Sequence, residues 1–200
     1  MTHAGYNSNR NSHDGLIASF WNRCVALATI IFVLSIAQDT LAQYSPREAK
    51  IRTGYIHNFT KYVTWPNSAF AHANAPFIIA VYGSSDLDPY LKLLAKHRKV
   101  GNRRIQFKQI ADLESCGKCH LLYVQAELSE EEGRRLSAAL KGTHVLAVGE
   151  GSQFLNQGGS IRFMVRNNLL NLELSVGTAE LRKHSVRSQL LRLDVVHRVK

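Results

Sequence analysis

The apolar positions of the chain fall into short blocks whose spacing alternates between a helical and an extended period. From Arg47 to Val63, the residues Ala49, Ile51, Tyr55, Ile56, Phe59, Tyr62 and Val63 approximate a helical repeat, with Lys50, Arg52, His57 and Lys61 between them. This predicts an amphipathic helix that stops at Trp65-Pro66, because proline disfavours helical geometry in the residue before it and has no N–H to donate. Pro76 to Gly83 is a near-continuous apolar run with β-branched residues and a closing glycine, the pattern of a strand buried on both faces. Asp86 to Arg98 returns to helical spacing through Leu87, Tyr90, Leu91, Leu93 and Leu94. Arg103 to Ile110 alternates as a strand, and Leu121 to Val124 is another apolar strand. Ser129 followed by Glu132 forms a capping-box signal for a helix that Gly142 ends, and His144 to Val148 reads as a strand.

Beyond Gly149 the rhythm changes. A short helical turn over Ser152 to Asn156 and Gly158-Gly159 precede two strands, Ser160 to Val165 and Leu169 to Val176, joined by the hairpin signal Arg166-Asn167-Asn168. A helix over Thr178 to His184 and an apolar segment, Leu190 to Val196, complete the pattern. The expected fold is α/β: a single domain with a mostly parallel twisted sheet of about five to six strands, an antiparallel hairpin edge and flanking helices.

One apolar block does not belong to this alternation. A polar stretch closed by Arg23 leads into the 14 apolar residues Cys24 to Ala37, followed by small residues around Ala42. That run is short of the ~20 residues of a spanning helix, so residues 1-42 are read as a signal peptide cleaved after Ala42, with an uncleaved anchor as the alternative. Residues 43-200 are then the folded domain. In either case it faces an oxidising compartment, and the expected location is the periplasm.

Composition adds bounds. The chain has 200 residues and 45% hydrophobic content, enough for one ordinary core and too little chain for a multidomain enzyme. Its net charge of +10, unchanged by removal of residues 1-42, suggests anionic partners. Basic residues cluster in Lys96-His97-Arg98-Lys99 with Arg103, Arg104 and Lys108. No aromatic platform accompanies that cluster, and outside the cytoplasm nucleic acid is not an expected partner.

The sharpest chemical motif is Cys116-Gly117-Lys118-Cys119-His120. It fits C-x-x-C-H, in which two thiols attach haem c and the histidine ligates its iron. The compartment favours a Cys116–Cys119 disulfide, with haem attachment kept as the alternative. Zinc would need a fourth ligand, and His57, His97, His144, His184 and His197 lack paired spacing. Gly149-Glu150-Gly151-Ser152 could present backbone amides to an anion, although it matches neither a Walker loop nor a dinucleotide fingerprint. No catalytic motif or evident acid pair is present, so no catalytic residue and no enzymatic activity is expected.

The segment Ile51 to Pro66, IRTGYIHNFTKYVTWP, is similar to the opening helix of the YfiR-like family. The likeness continues through Pro76 to Gly83, Cys119-His120-Leu-Leu-Tyr-Val124, Val145 to Phe154, Gly158-Gly159, Ile161-Arg-Phe163 and Ser188 to Arg192. It implies a non-enzymatic periplasmic regulator that binds and represses an inner-membrane diguanylate cyclase or related sensor protein, needing no cofactor. An outer-membrane lipoprotein that sequesters the regulator and a second copy of this chain are further implied partners. Tyr55, Phe59, Tyr62 and Trp65, with the nearby basic face, are the candidate contact residues. A haem c protein using Cys116, Cys119 and His120, and a periplasmic module binding a small ligand, remain the alternatives. The family's pattern is departed from at Ser175, where Asn is expected, and in a lower cysteine content.

Overall fold

A computed structural model of the protein describes residues 44–175, 177–178, 185–186, 190 and 195–199. The expected signal peptide or anchor, and all but the first residue of the helix expected over Thr178 to His184, lie outside the described residues.

Helix α1, Pro46–Tyr62, starts where Ser45 and Glu48 cap each other's backbone N–H groups, with Pro46 in the first turn, where its missing N–H costs nothing. It ends before Trp65-Pro66 because Val63 is already extended. Val63–Thr64 then forms strand β1, the antiparallel partner of Ser185–Val186. Strand β2, Phe77–Tyr82, is followed by α2, Asp88–His97, and by a short hairpin of β3, Lys99–Val100, and β4, Arg103–Ile110. Strand β5, Leu121–Val124, leads to α3, Glu130–Leu140, whose expected capping box between Ser129 and Glu132 is present. Strand β6, Leu146–Gly149, precedes a hairpin of β7, Ile161–Arg166, and β8, Leu169–Ser175. Its two-residue turn places Asn167 and Asn168 at positive φ, 51° and 62°, the geometry of a type I′ turn. Ser185–Val186 is β9 and Val196–Val199 is β10.

The α/β expectation is met, with β2, β4, β5, β6 and β7 parallel and β7–β8 antiparallel. The sheet is larger than expected, having among the described residues eight strands in the order β3-β4-β2-β5-β6-β7-β8-β10 instead of five to six. The additions are β3, two residues within the basic cluster, and β10, which adds in parallel to β8. Neither carries the apolar alternation that marks a strand in sequence. Ser152 to Asn156 forms successive turns instead of the expected turn of helix.

The alternation of side chains along the central strands feeds two cores. Phe77, Ile79 and Val81, with Leu121, Tyr123, Leu146 and Val148, face α1 and α2, whose Ile56, Phe59 and Leu91 are fully buried against them. Ala80, Leu122, Val124 and Ala147 face the other way, under Leu136 and Leu140 of α3. Each such large apolar side chain contributes roughly 1.5–3 kcal/mol on burial.

Candidate functional site

The four candidate contact residues divide between core and surface. Phe59 is wholly buried, stacked on Phe163 with ring centroids 6.0 Å apart. Trp65 is 8% exposed, and its indole N–H donates to the His120 carbonyl at 3.1 Å. Tyr55 and Tyr62 are half-buried, and the Tyr55 ring meets Phe163 edge-on at 6.2 Å. Phe59 and Trp65 therefore hold α1 to the sheet and present little surface to a partner.

Cys116 lies in the 3-10 turn Glu114–Lys118 and Cys119 just beyond it, both buried in the apolar layer under α3. The disulfide expected between them is not formed: both side chains are thiols. Burial, reinforced by Cys116, holds the Cys119 thiol far above its ordinary range, which suits apolar packing and not thiolate chemistry. His120 accepts the Ile78 N–H at Nδ1, 2.9 Å, so its proton is on Nε2, which donates to the Ala69 carbonyl at 3.1 Å. Burial lowers its pKa to about 4. With both ring nitrogens committed and both thiols enclosed, the three residues as placed do not fit haem attachment. Among the described residues no three His, Cys, Asp or Glu side chains converge as a metal site.

The glycine-flanked turn after β6 does receive an anion, supplied by the protein itself. The Ser152 N–H donates to Glu127 Oε2 at 2.8 Å, the Ser152 hydroxyl to Oε1 at 3.0 Å, and the Gln153 N–H to Oε1 at 3.4 Å. These donors, led by the Ser152 N–H, lower the pKa of Glu127.

A constellation that local sequence spacing does not reveal lies at the carboxyl ends of the strands. The chain passes from β2 outward to β4 and then returns to β5 on the other side of β2, which makes this end of the sheet a topological switch point, the place where sheets of this kind commonly bind ligands. Asp86 follows β2, Gln125 follows β5 and Glu150 follows β6. The Gln125 amide spans two of these ends, accepting the Asp86 N–H and donating to Asp86 Oδ2, both at 2.9 Å. Glu150 accepts hydrogen bonds from the Tyr44 and Tyr123 hydroxyls, and Arg52 Nε lies 3.5 Å from its Oε1. Tyr44 also donates its backbone N–H to Asp86 Oδ2 at 2.9 Å, while the Arg52 guanidinium covers its ring at 3.8 Å. Tyr44 thus bridges the ends of β2 and β6. Burial pushes the Glu150 carboxyl up to about 8; the guanidinium and two phenols oppose that rise. Arg52 is 3% exposed, and its Nε has no hydrogen-bond partner. The arrangement fastens the start of α1 to the sheet. Its signal was topological: polar residues just beyond the ends of strands that are neighbours in the sheet.

The exposed apolar surface also departs from the helical pattern. Ile51, assigned by spacing to the apolar stripe of α1, is 42% exposed, whereas Arg52, assigned to the polar face, is buried. Ile51 joins Val165, 58% exposed, and Leu169, 66% exposed, in a groove of about 380 Å³ between the first turns of α1 and the β7–β8 hairpin. Arg47 and Glu48 complete its rim. Among the described residues no helix is long and apolar enough to cross a membrane.

No curated protein matches the chain in sequence. Among solved structures, a conserved domain protein from Vibrio cholerae O1 biovar El Tor str. N16961 has a similar fold, with a TM-score of 0.50 at 12% identity. The similarity covers 79% of this chain and 61% of that protein, so the chain spans less than two thirds of that relative's length. The family model DUF4154, described as YfiR/HmsC-like, matches residues 49–194. That match takes in α1 from Ala49 onward, strands β1 to β9 and both cores, and the chain belongs to the YfiR/HmsC-like family.

Proposed function

We propose that this protein is a non-enzymatic periplasmic regulator, exported by a signal peptide comprising residues 1-42, that binds the periplasmic sensor region of an inner-membrane diguanylate cyclase or related sensor protein. It represses by binding one conformation of that sensor more tightly than another, because a ligand shifts an equilibrium only by its differential affinity. An outer-membrane lipoprotein that sequesters the regulator would relieve the repression. Family membership supports the regulatory class. The observation that carries the choice of surface is the convergence of Ile51, Val165 and Leu169 in one exposed groove, since clustered apolar exposure marks interaction sites whereas scattered apolar residues do not. Tyr55 and Tyr62 contribute at most their half-exposed edges.

The test is capture from solubilised membranes by the purified mature protein, at several salt concentrations, with identification of what is retained. Wild type is expected to retain a membrane signalling protein, and Ile51→Glu and Leu169→Glu to lose it while keeping the wild-type circular dichroism spectrum and melting temperature. Failure of wild type to retain any signalling protein at every salt concentration overturns the reading. Full retention by both variants overturns the assignment of the groove.

A further inference from the structure

The outer side of β4 is left open by its own hairpin. β3 pairs only with Arg103 and Arg104, at the start of the strand, and among the described residues no strand pairs with the outer side from Gln106 to Ile110. The hydrogen-bond pattern shows which groups stand there. β2 and β4 run parallel in register from Phe77 and Ile105 to Tyr82 and Ile110, and the Gly83 N–H, just past β2, donates to the Ile110 carbonyl at 2.9 Å. Backbone groups alternate in direction along a strand, so Gln106, Lys108 and Ile110 bond to β2, whereas Phe107 and Gln109 turn their N–H and C=O groups outward. Arg103 shares that outward sense and pairs with Val100 of β3 across the turn.

The exposed charge along this edge is positive on both faces of the sheet. Arg104 and Lys108 are exposed on one face. On the other, Lys92 of α2 is exposed, and its ammonium lies 5.3 Å from the centre of the Phe107 ring. Lys96, also exposed, follows about one turn along the same helix. β3 and β4 contain no acid. Asp88, the one acid of α2, is buried and accepts the Gln109 side-chain amide at 3.0 Å. Asp112 and Glu114 lie past the end of β4, where Asp112 accepts from Ser115 and Glu114 from Arg135.

An open edge is a template for a further strand, and its charge decides which strand it accepts. A second copy of β4 would bring Arg103, Arg104 and Lys108 against the same cations, and like charges opposed across a ladder destabilise it. A strand bearing carboxylates gains on both faces, because its alternate side chains would meet Arg104 and Lys108 on one and Lys92 and Lys96 on the other. Rejection of its own kind and attraction of an acidic strand together give specificity. We propose that the outer edge of β4 binds an acidic, extended segment of a partner protein by strand addition, with backbone hydrogen bonds at Phe107 and Gln109 and carboxylates beside Lys92 and Lys108. β2, β5 and β6 separate β4 from the β7–β8 hairpin, so this surface is distinct from the groove beside that hairpin and stands independently of it.

The probe is a capped, fluorescently labelled peptide of about seven residues, glutamate-glutamate-valine-threonine-valine-glutamate-glutamate, which as a strand carries carboxylates on both faces. It is titrated with the purified mature protein and read by anisotropy. The controls are the same peptide with glutamine for every glutamate, and the acidic peptide N-methylated at every backbone amide, which keeps the charge and loses the donors. The acidic peptide is expected to bind saturably, and each control at least about tenfold more weakly. The double variant Lys92→Gln/Lys108→Gln is expected to keep the peptide-free melting temperature and to lose about tenfold in affinity. Amide hydrogen exchange separates strand addition from charge attraction alone: bound peptide is expected to slow the Phe107 and Gln109 amides by at least about tenfold and to leave the Lys108 amide, already bonded to β2, unchanged. Equal binding of either control, unchanged affinity in the double variant, or unaltered exchange at Phe107 and Gln109 in the complex overturns the proposal. Retention on phosphatidylglycerol vesicles without any binding of the peptide overturns it as well and assigns the basic edge to a membrane surface.

Discussion

Arg52 and Glu150 meet at the carboxyl end of the sheet, Nε to Oε1 at 3.5 Å, with side-chain exposures of 4% and 12%. They are distant in sequence and join the first helix to the end of β6. In water such a pair would contribute little, but here both groups are enclosed, and the Arg52 guanidinium opposes the rise that burial gives the Glu150 carboxyl.

Removing one partner should therefore cost more than removing both. Arg52→Met is expected to lower the unfolding free energy by about 3 kcal/mol, and Arg52→Met/Glu150→Gln to recover more than half of that loss. Urea denaturation of the two variants and wild type measures the difference. A double variant no more stable than Arg52→Met would show that burial of Glu150 is not the source of the cost.

His120 makes stability depend on pH. Its folded pKa is about 4, lowered by burial, against ~6.5 in an unfolded chain. Between those values the unfolded state binds more protons, so stability rises with pH, is fully present above about 6.5 and is lost as pH falls towards 4. Protonating Nδ1 also breaks its bond from the Ile78 N–H. The loss attributable to His120 is of order 3 kcal/mol, and His120→Asn should flatten this part of the profile. Chemical denaturation at pH 7.5, 6 and 5 reads it directly; an unaltered profile in the variant would assign the acid sensitivity to other groups.

Ser129 accepts the Glu132 N–H at 3.2 Å, and the Glu132 carboxylate accepts the Ser129 N–H at 2.9 Å. Ser129→Ala leaves donors of the first turn of α3 to solvent and should cost about 1 kcal/mol. Ser129→Asp should retain most of the stability, because aspartate also caps. Thermal melts of both variants provide the comparison.

Gly159 is required by close approach. A Cβ at that position would lie 2.3 Å from Cδ1 of Phe154 and 2.7 Å from its backbone oxygen. Gly159→Ala should destabilise by about 2 kcal/mol, as overpacking of a filled core does. Phe154→Leu should recover only the side-chain part, so the double variant is expected to fall between Gly159→Ala and wild type. Denaturant midpoints for the single and double variants test that order.

Much of the element order was legible because each element carries a local cause. The Ser129–Glu132 cap lies within one helical turn, the β7–β8 turn is written in Asn167-Asn168, and β2 and β5 are apolar on consecutive residues because the sheet buries both faces. The rotation of α1 was not legible. Spacing put Ile51 inward and Arg52 outward, and Glu150 reversed Arg52 by offering it a buried carboxylate. The short β3 and the terminal β10 escaped for a related reason, being strands by virtue of their neighbours' open edges.

The sequence by itself determined the α/β class, the positions of the central strands and the family to which the chain belongs, since periodicity, caps and turn residues act over a few neighbouring positions. Only the tertiary structure decided which polar groups are buried, that Glu127 fills the turn after β6, and that Trp65 and Phe59 serve the core. It also decided that Lys61, Lys99 and Arg103 gather around one pocket. Those outcomes depend on side chains brought together from distant segments. Burial and Coulomb energies are set by distance in space, and separation along the chain does not specify them.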